Sequence, residues 1–129
     1  MYTGETNLKD LESAKVIKNL LNNIPELKGN VQPVVVPGTG VVPYVMYQRT
    51  DTRYTIDKSS MTDEEECTFV IRAYAMTYTA STELYKAIMM AVRMHLSSEE
   101  SWWDVVTITS SEGMESDLYY QEIMLNIKF

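Results

Sequence analysis

The stretch ECTFVIRAYAMTYTASTELYKAIMMAVRMHL, residues 66–96, decides the fold. Cys67, Phe69, Ile71, Ala73 and Ala75 alternate with Thr68, Val70, Arg72, Tyr74 and Met76, a strand running on to Tyr78. A period of two places each set on its own side of a sheet. The first set tapers from bulky side chains to two alanines, which leaves room for a helix to pack closely. That helix follows at once. Thr79 and Ser81 both offer a hydroxyl to the orphan N–H groups of a first turn. Leu84, Ile88, Ala91, Val92, His95 and Leu96 then recur at helical spacing and form one stripe, with Glu83, Lys86 and Arg93 off it. A strand whose next element folds back over its apolar side is the core-forming unit of an α/β layer.

Toward the N-terminus, Leu11, Ala14, Ile17, Leu20, Leu21 and Ile24 mark an amphipathic helix beginning near Leu8, capped by Thr6 or Asn7 and stopped by Pro25. Residues 1–6 read as a loose leader. Val31 to Val36 is a short extended run in which Pro33 removes a ladder donor, so it suits a sheet edge or an irregular arm. Pro37-Gly38-Thr39-Gly40 is a turn. Val41 to Thr50 is a second strand, with Val45, Tyr47 and Arg49 on one side and Tyr44, Met46 and Gln48 on the other. Residues 51–65 read as a long, polar, mobile loop of the kind that is often functional, with Tyr54 and Ile56 hinting at an extended arm.

Toward the C-terminus, Ser97 to Ser101 is a polar connection and Trp103 to Thr109 a strand. Ser110-Ser111-Glu112-Gly113 reads as a hairpin connection. Asp117 to Phe129 is the last strand, with Tyr119, Gln121, Ile123, Leu125, Ile127 and Phe129 on one side. The expectation is one α+β domain over residues 1–129: a mixed, mainly antiparallel sheet of about four strands with two helices packed on one face.

The totals narrow the function classes. A chain of 129 residues suits one domain, and 45% hydrophobic with 22% charged residues is an ordinary globular balance. No apolar run approaches the roughly 20 residues of a membrane span, and the N-terminus lacks a signal-peptide pattern. No membrane partner is expected, and synthesis in the cytoplasm is. Cys67 is the single cysteine, so no internal disulfide forms. Acids outnumber bases by 18 to 11, for a net charge of −7 and a pI near 4.6. Without a Lys/Arg run to displace counterions from phosphates, tight or specific nucleic-acid binding is not expected.

The constellations that could carry chemistry are weak. Asp63-Glu64-Glu65-Glu66 is the densest acidic run, but consecutive carboxylates on an extended chain point apart, and the glycine and spacing of a calcium loop are missing. It reads as a solvated charge run. His95, the only histidine, lies on the buried stripe near a helix C-terminus, which suits a satisfied core histidine better than a general base. Cys67 follows three glutamates that would raise its pKa, and reads as structural. Gly38-Thr39-Gly40 begins like a dinucleotide fingerprint, but Pro43 holds the third glycine position and no helix follows. No catalytic, cofactor-binding or metal-binding set is expected. In Trp102-Trp103 one ring can enter the core while its neighbour stays near the surface, available to an interface. Among nine methionines, Met89, Met90 and Met94 fall off the main stripe, so they suit adaptable core filling or a contact face.

The segment Pro43-Tyr44-Val45-Met46-Tyr47-Gln48-Arg49 follows a Pro/Gly turn and precedes a polar stretch. The strand Phe69-Val70-Ile71-Arg72-Ala73-Tyr74-Ala75 and the helix Leu84-Tyr85-Lys86-Ala87-Ile88 come next. This order resembles the tail-completion, or tail-terminator, proteins of long-tailed bacteriophages, with an opening amphipathic helix and a terminal strand ending in an aromatic residue. The resemblance runs from about Leu8 onward. The long 51–65 stretch departs from it, as does Val34-Val35-Val36-Pro37, which stands where the family often has arginine-tyrosine-proline.

What the resemblance implies is a structural protein of a virion or prophage, assembled in the bacterial host cytoplasm. Self-association would give a ring, typically a hexamer, on the head-proximal end of the tail. Its partners would be the tail-tube protein, whose polymerisation it stops, and a head–tail connector protein, with DNA only in transit past repelling acidic walls. Interface candidates are Trp102, Trp103, Met90, Met94, Tyr54, Ile56, Asp63, Glu64 and Glu65, and the 51–65 loop would line the lumen or meet the tube. Two alternatives stay open: another head–tail joining or neck protein of the same virion, and a small enzyme using His95 with carboxylates.

Overall fold

The computed structural model describes residues 9–27, 30–33, 42–55 and 64–129. The elements are α1 (Lys9–Asn22), a single 3-10 turn (Pro25–Leu27), β1 (Val31–Pro33), β2 (Tyr44–Thr55), β3 (Glu64–Ala75), α2 (Tyr78–Leu96), β4 (Val105–Glu115) and β5 (Leu118–Lys128). The strands form one sheet in the order β1-β2-β3-β5-β4. β2, β3, β5 and β4 are antiparallel neighbours, and β1 adds a short parallel arm at the β2 edge. This is the expected α+β domain. The expected leader, residues 1–6, and the α1 cap lie outside the described residues.

Both helices lie on one side of the sheet. Cys67, Phe69, Ile71, Ala73 and Ala75 of β3 face Ile17 and Leu21 of α1 and Leu84, Ile88 and Val92 of α2 in one core. Val45 and Tyr47 extend that core on β2, and Ile123, Leu125 and Ile127 on β5. Fully burying a side chain of this size contributes about 1.5–3 kcal/mol, so this layer dominates the stability. Leu11, counted on the α1 stripe, is instead exposed.

Apart from β3 ending at Ala75 rather than Tyr78 and β4 beginning at Val105 rather than Trp103, three boundaries differ from the sequence reading. The α2 cap is Thr77, in extended backbone, whose hydroxyl accepts from the Ala80 N–H. Ser81 sits inside the helix and is buried; its hydroxyl donates to the Tyr78 carbonyl at 2.7 Å and accepts from Gln121 Nε2 at 3.2 Å. The β4–β5 turn is Ser116-Asp117, both at positive φ (53° and 64°), rather than Ser110–Gly113. A two-residue turn with both φ positive matches the twist of the strands it joins. Gly113 lies within β4 opposite Tyr120, where a Cβ would sit 2.7 Å from the phenolic oxygen. Its absent side chain makes room for that ring.

The third difference concerns residues 51–65. Asp51–Thr55 complete β2 and Glu64-Glu65 open β3, with Tyr54 opposite Glu65 and Thr55 opposite Glu64. A register shift between Arg49 and Asp51 breaks the alternation there. A bulge inserts an extra residue and reverses which side the following side chains face, which is why the period-two pattern ends at Thr50. Residues 56–63, with Ile56 and Asp63, lie outside the described residues.

Candidate interaction surfaces

α2 buries Ser81, Leu84, Ile88 and Val92 against the sheet. Met90 and Met94 are one turn apart on the opposite side, 64% and 67% exposed. With Tyr85, Lys86, Met89, Arg93 and Ser97 they line a shallow groove of about 510 Å³. Thioethers fill such a surface adaptably, and the two cations rim it. Met90 and Met94 are thus brought together as an apolar patch. Met89 was read from sequence with Met90 and Met94 as core filling or contact face; Tyr85, Lys86 and Arg93 were not singled out as an interface, and their helical positions beside Met90 and Met94 were the available signal.

The remaining candidates do not join them. Trp103 is 7% exposed and belongs to the core, so it is no surface anchor. Its ring stands edge-on to His95 at 4.8 Å. Trp102 is half-buried at the margin of the same core and rests on Phe129 at 5.1 Å. Glu65 is 9% exposed rather than solvated, and its carbonyl accepts from the Phe129 N–H at 2.9 Å. Glu66 is half-buried and pairs with Arg53 at 2.6 Å, so Glu65 and Glu66 are tied into the sheet rather than free in solvent. Tyr54 and Glu64 are placed by their backbone in β2 and β3. Cys67 is buried in the core.

His95 departs from the satisfied core histidine expected of it. Nε2 is buried without a hydrogen-bond partner among the described residues. Burial lowers the imidazole pKa below its ordinary value of 6.5, with the Glu100 charge pulling partly the other way. Among the described residues no group of three or more His, Cys, Asp or Glu is placed to hold a metal ion. No helix among them is long and apolar enough to cross a membrane.

The sheet side facing away from the helices carries a network that no local pattern announced. Tyr44 and Tyr74 stack at 4.8 Å, with Tyr120 beside them at 5.9 Å from Tyr74. Arg72 lies over the Tyr120 ring at 4.5 Å and donates from Nε and Nη2 to one Glu122 oxygen at 3.2 and 3.0 Å. Its Nη1 donates to Glu115 and to the Tyr74 oxygen, both at 3.3 Å, and the Tyr74 hydroxyl donates to Glu115 at 3.1 Å. Burial works against the Arg72 charge, but the Tyr74 hydrogen bond and the Glu122 carboxylate outweigh it and raise its pKa. The network ties β3, β5 and β4 together across the sheet.

These elements define a small α+β fold with an open sheet and one helical layer. No protein-family model and no curated protein matches the chain. Among solved structures, a chain from the virion of a native gene transfer agent (GTA) particle shares the fold. The TM-score is 0.53 at 16% sequence identity, covering 93% of this chain and 88% of that one. At that identity the likeness is one of fold.

Proposed function

We propose that this chain is a structural component of a phage-like virion. In this reading it forms a ring at the head-proximal end of the tail tube, ends tube polymerisation and offers the head-docking surface. The observation that carries the reading is the Met90–Met94 side of α2, apolar and solvent-facing on a helix whose other side is already committed to its own core. Exposed apolar surface rimmed by polar residues marks an interaction site, and self-association would cover it. The fold shared with a gene transfer agent virion chain and the sequence resemblance to tail-completion proteins support the same reading. The net charge of −7 suits a passage through which DNA moves without sticking. The protein acts here by contact, not catalysis.

The test is assembly with tube protein followed by negative-stain microscopy. The expected result is discrete rings, and tubes that stop growing at one capped end when this protein is added. Tubes that lengthen unchanged, beside a strictly monomeric protein at high concentration, would overturn the proposal.

A further inference from the structure

The two edges of the sheet differ. At one, β1 is three residues long and contains Pro33, which has no amide proton to give. At the other, β4 runs in unbroken register with β5 from Val105 to Glu115, and no strand among the described residues pairs with its outer side. β4 contains no proline, no lysine and no bulge, and its only charged residues, Glu112 and Glu115, lie at its C-terminal end, so Val105–Ser111 lacks the devices that usually blunt an edge. Thr107, Thr109, Ser110 and Ser111 are exposed along it. Threonine favours strands, and Thr and Ser hydroxyls pair well across them.

Charge singles out the partner. From Ser97 to Ile127 the chain has no Lys or Arg, while Glu99, Glu100 and Asp104 precede β4 and Glu112, Glu115 and Asp117 close it. Val105–Ser111 is therefore an uncharged segment between two ends at which acids outnumber bases, even counting Lys128 opposite Val105 and Arg72 paired with Glu115. A second copy laid along it, in either direction, sets acid against acid. Like charges directly opposite oppose strand pairing.

The helix side completes the site. The Tyr78 hydroxyl donates to Glu112 at 3.0 Å, and the Tyr85 and Ser110 hydroxyls meet at 3.3 Å, so the tyrosine flank of α2 reaches across to β4 while the helix itself lies over β3 and β5. Val106 and Ile108 stay only partly buried. An added strand would cover them with every second side chain.

We propose that the β4 edge docks an extended segment of another protein, which joins the sheet as a sixth strand. The segment alternates apolar residues toward Val106, Ile108 and Tyr85 with polar residues away from them, and carries Lys or Arg at both ends. Backbone hydrogen bonds supply affinity and alternate side chains supply specificity. The acidic ends turn away other copies of this chain and select a basic strand. The proposal does not rest on the ring reading.

Two synthetic peptides test it, both matched to β4 in length with alternating Val and Thr, one ending in Lys/Arg pairs and the other in Glu pairs. Fluorescence anisotropy reads binding, and amide hydrogen exchange reads protection of residues 105–111. The basic-ended peptide binds and slows exchange there, and the Glu-ended one does neither. Thr109→Lys weakens binding about tenfold without lowering the melting temperature, and Glu99→Lys/Asp104→Lys removes the preference for basic ends. Unchanged β4 exchange with the basic peptide, or equal binding of both peptides, overturns the proposal. So does spontaneous disulfide dimerisation of Thr109→Cys, which would identify a second copy as the occupant.

Discussion

His95 stands edge-on to Trp103 with Nε2 buried and no hydrogen-bond partner among the described residues, an environment that accepts a neutral ring and resists a charged one. In the unfolded chain the imidazole takes up a proton near 6.5; in the fold burial delays this to lower pH. Between those two values the unfolded chain binds more protons, so stability rises with pH. The contribution is fully present above 6.5 and is lost as pH falls through 6.5 toward the folded value. Denaturant melts of the parent and of His95→Phe, from about pH 5.5 to 7.5, bracket the ordinary imidazole range. The parent should lose stability relative to the variant on the acid side, since phenylalanine keeps the ring contact and cannot titrate. Parallel curves would mean the imidazole is hydrated in both states.

At the scale of elements, the α2 N-terminus separates what a pattern can show from what it cannot. Thr77, Thr79 and Ser81 are all capping residue types, and sequence favoured the latter two. The structure selects Thr77, where β3 ends two residues earlier and the chain is still extended (φ −125°, ψ 156°). Thr77→Ala should cost about 1 kcal/mol, read as a lower denaturation midpoint at unchanged slope. Thr79→Ala should stay within about 0.5 kcal/mol as an exposed surface change; equal losses would refute the assignment. The same contrast runs through the sheet. The core sides of β3, β5 and α2 were legible because burial imposes a period of 2 or 3.6 on the residues themselves. The β2–β3 strand ends were hidden by the Arg49/Asp51 register shift, and the β4–β5 turn by serines and a glycine that imitate a loop inside a strand. The Arg72–Glu122 pair joins residues 50 apart in sequence, and no single-chain periodicity encodes that meeting.

For the molecule as a whole, the proposed ring needs a surface that would hold copies together. Of the sequence-picked interface residues, Met90 and Met94 were legible because they fall off a stripe that the helix already buries. Trp103 was not, because a tandem Trp pair does not say which ring turns inward. Glu65 and Glu66 misled for a related reason: composition suggested solvent, while strand pairing drew Glu65 into the sheet and Glu66 against Arg53. If Met90 and Met94 form the contact between copies, Met90→Glu/Met94→Glu places two charges where an apolar surface must be desolvated, which is unfavourable without a partner charge. Both side chains point to solvent in the lone chain, so the melting temperature should hardly move, as for other exposed substitutions. Association, measured by sedimentation or by capping of tubes, should weaken at least about tenfold. A control at Glu83→Gln, exposed on the same helix but outside the groove, should leave assembly intact. Assembly that survives both methionine changes would move the contact off α2 and withdraw the observation on which the ring reading depends.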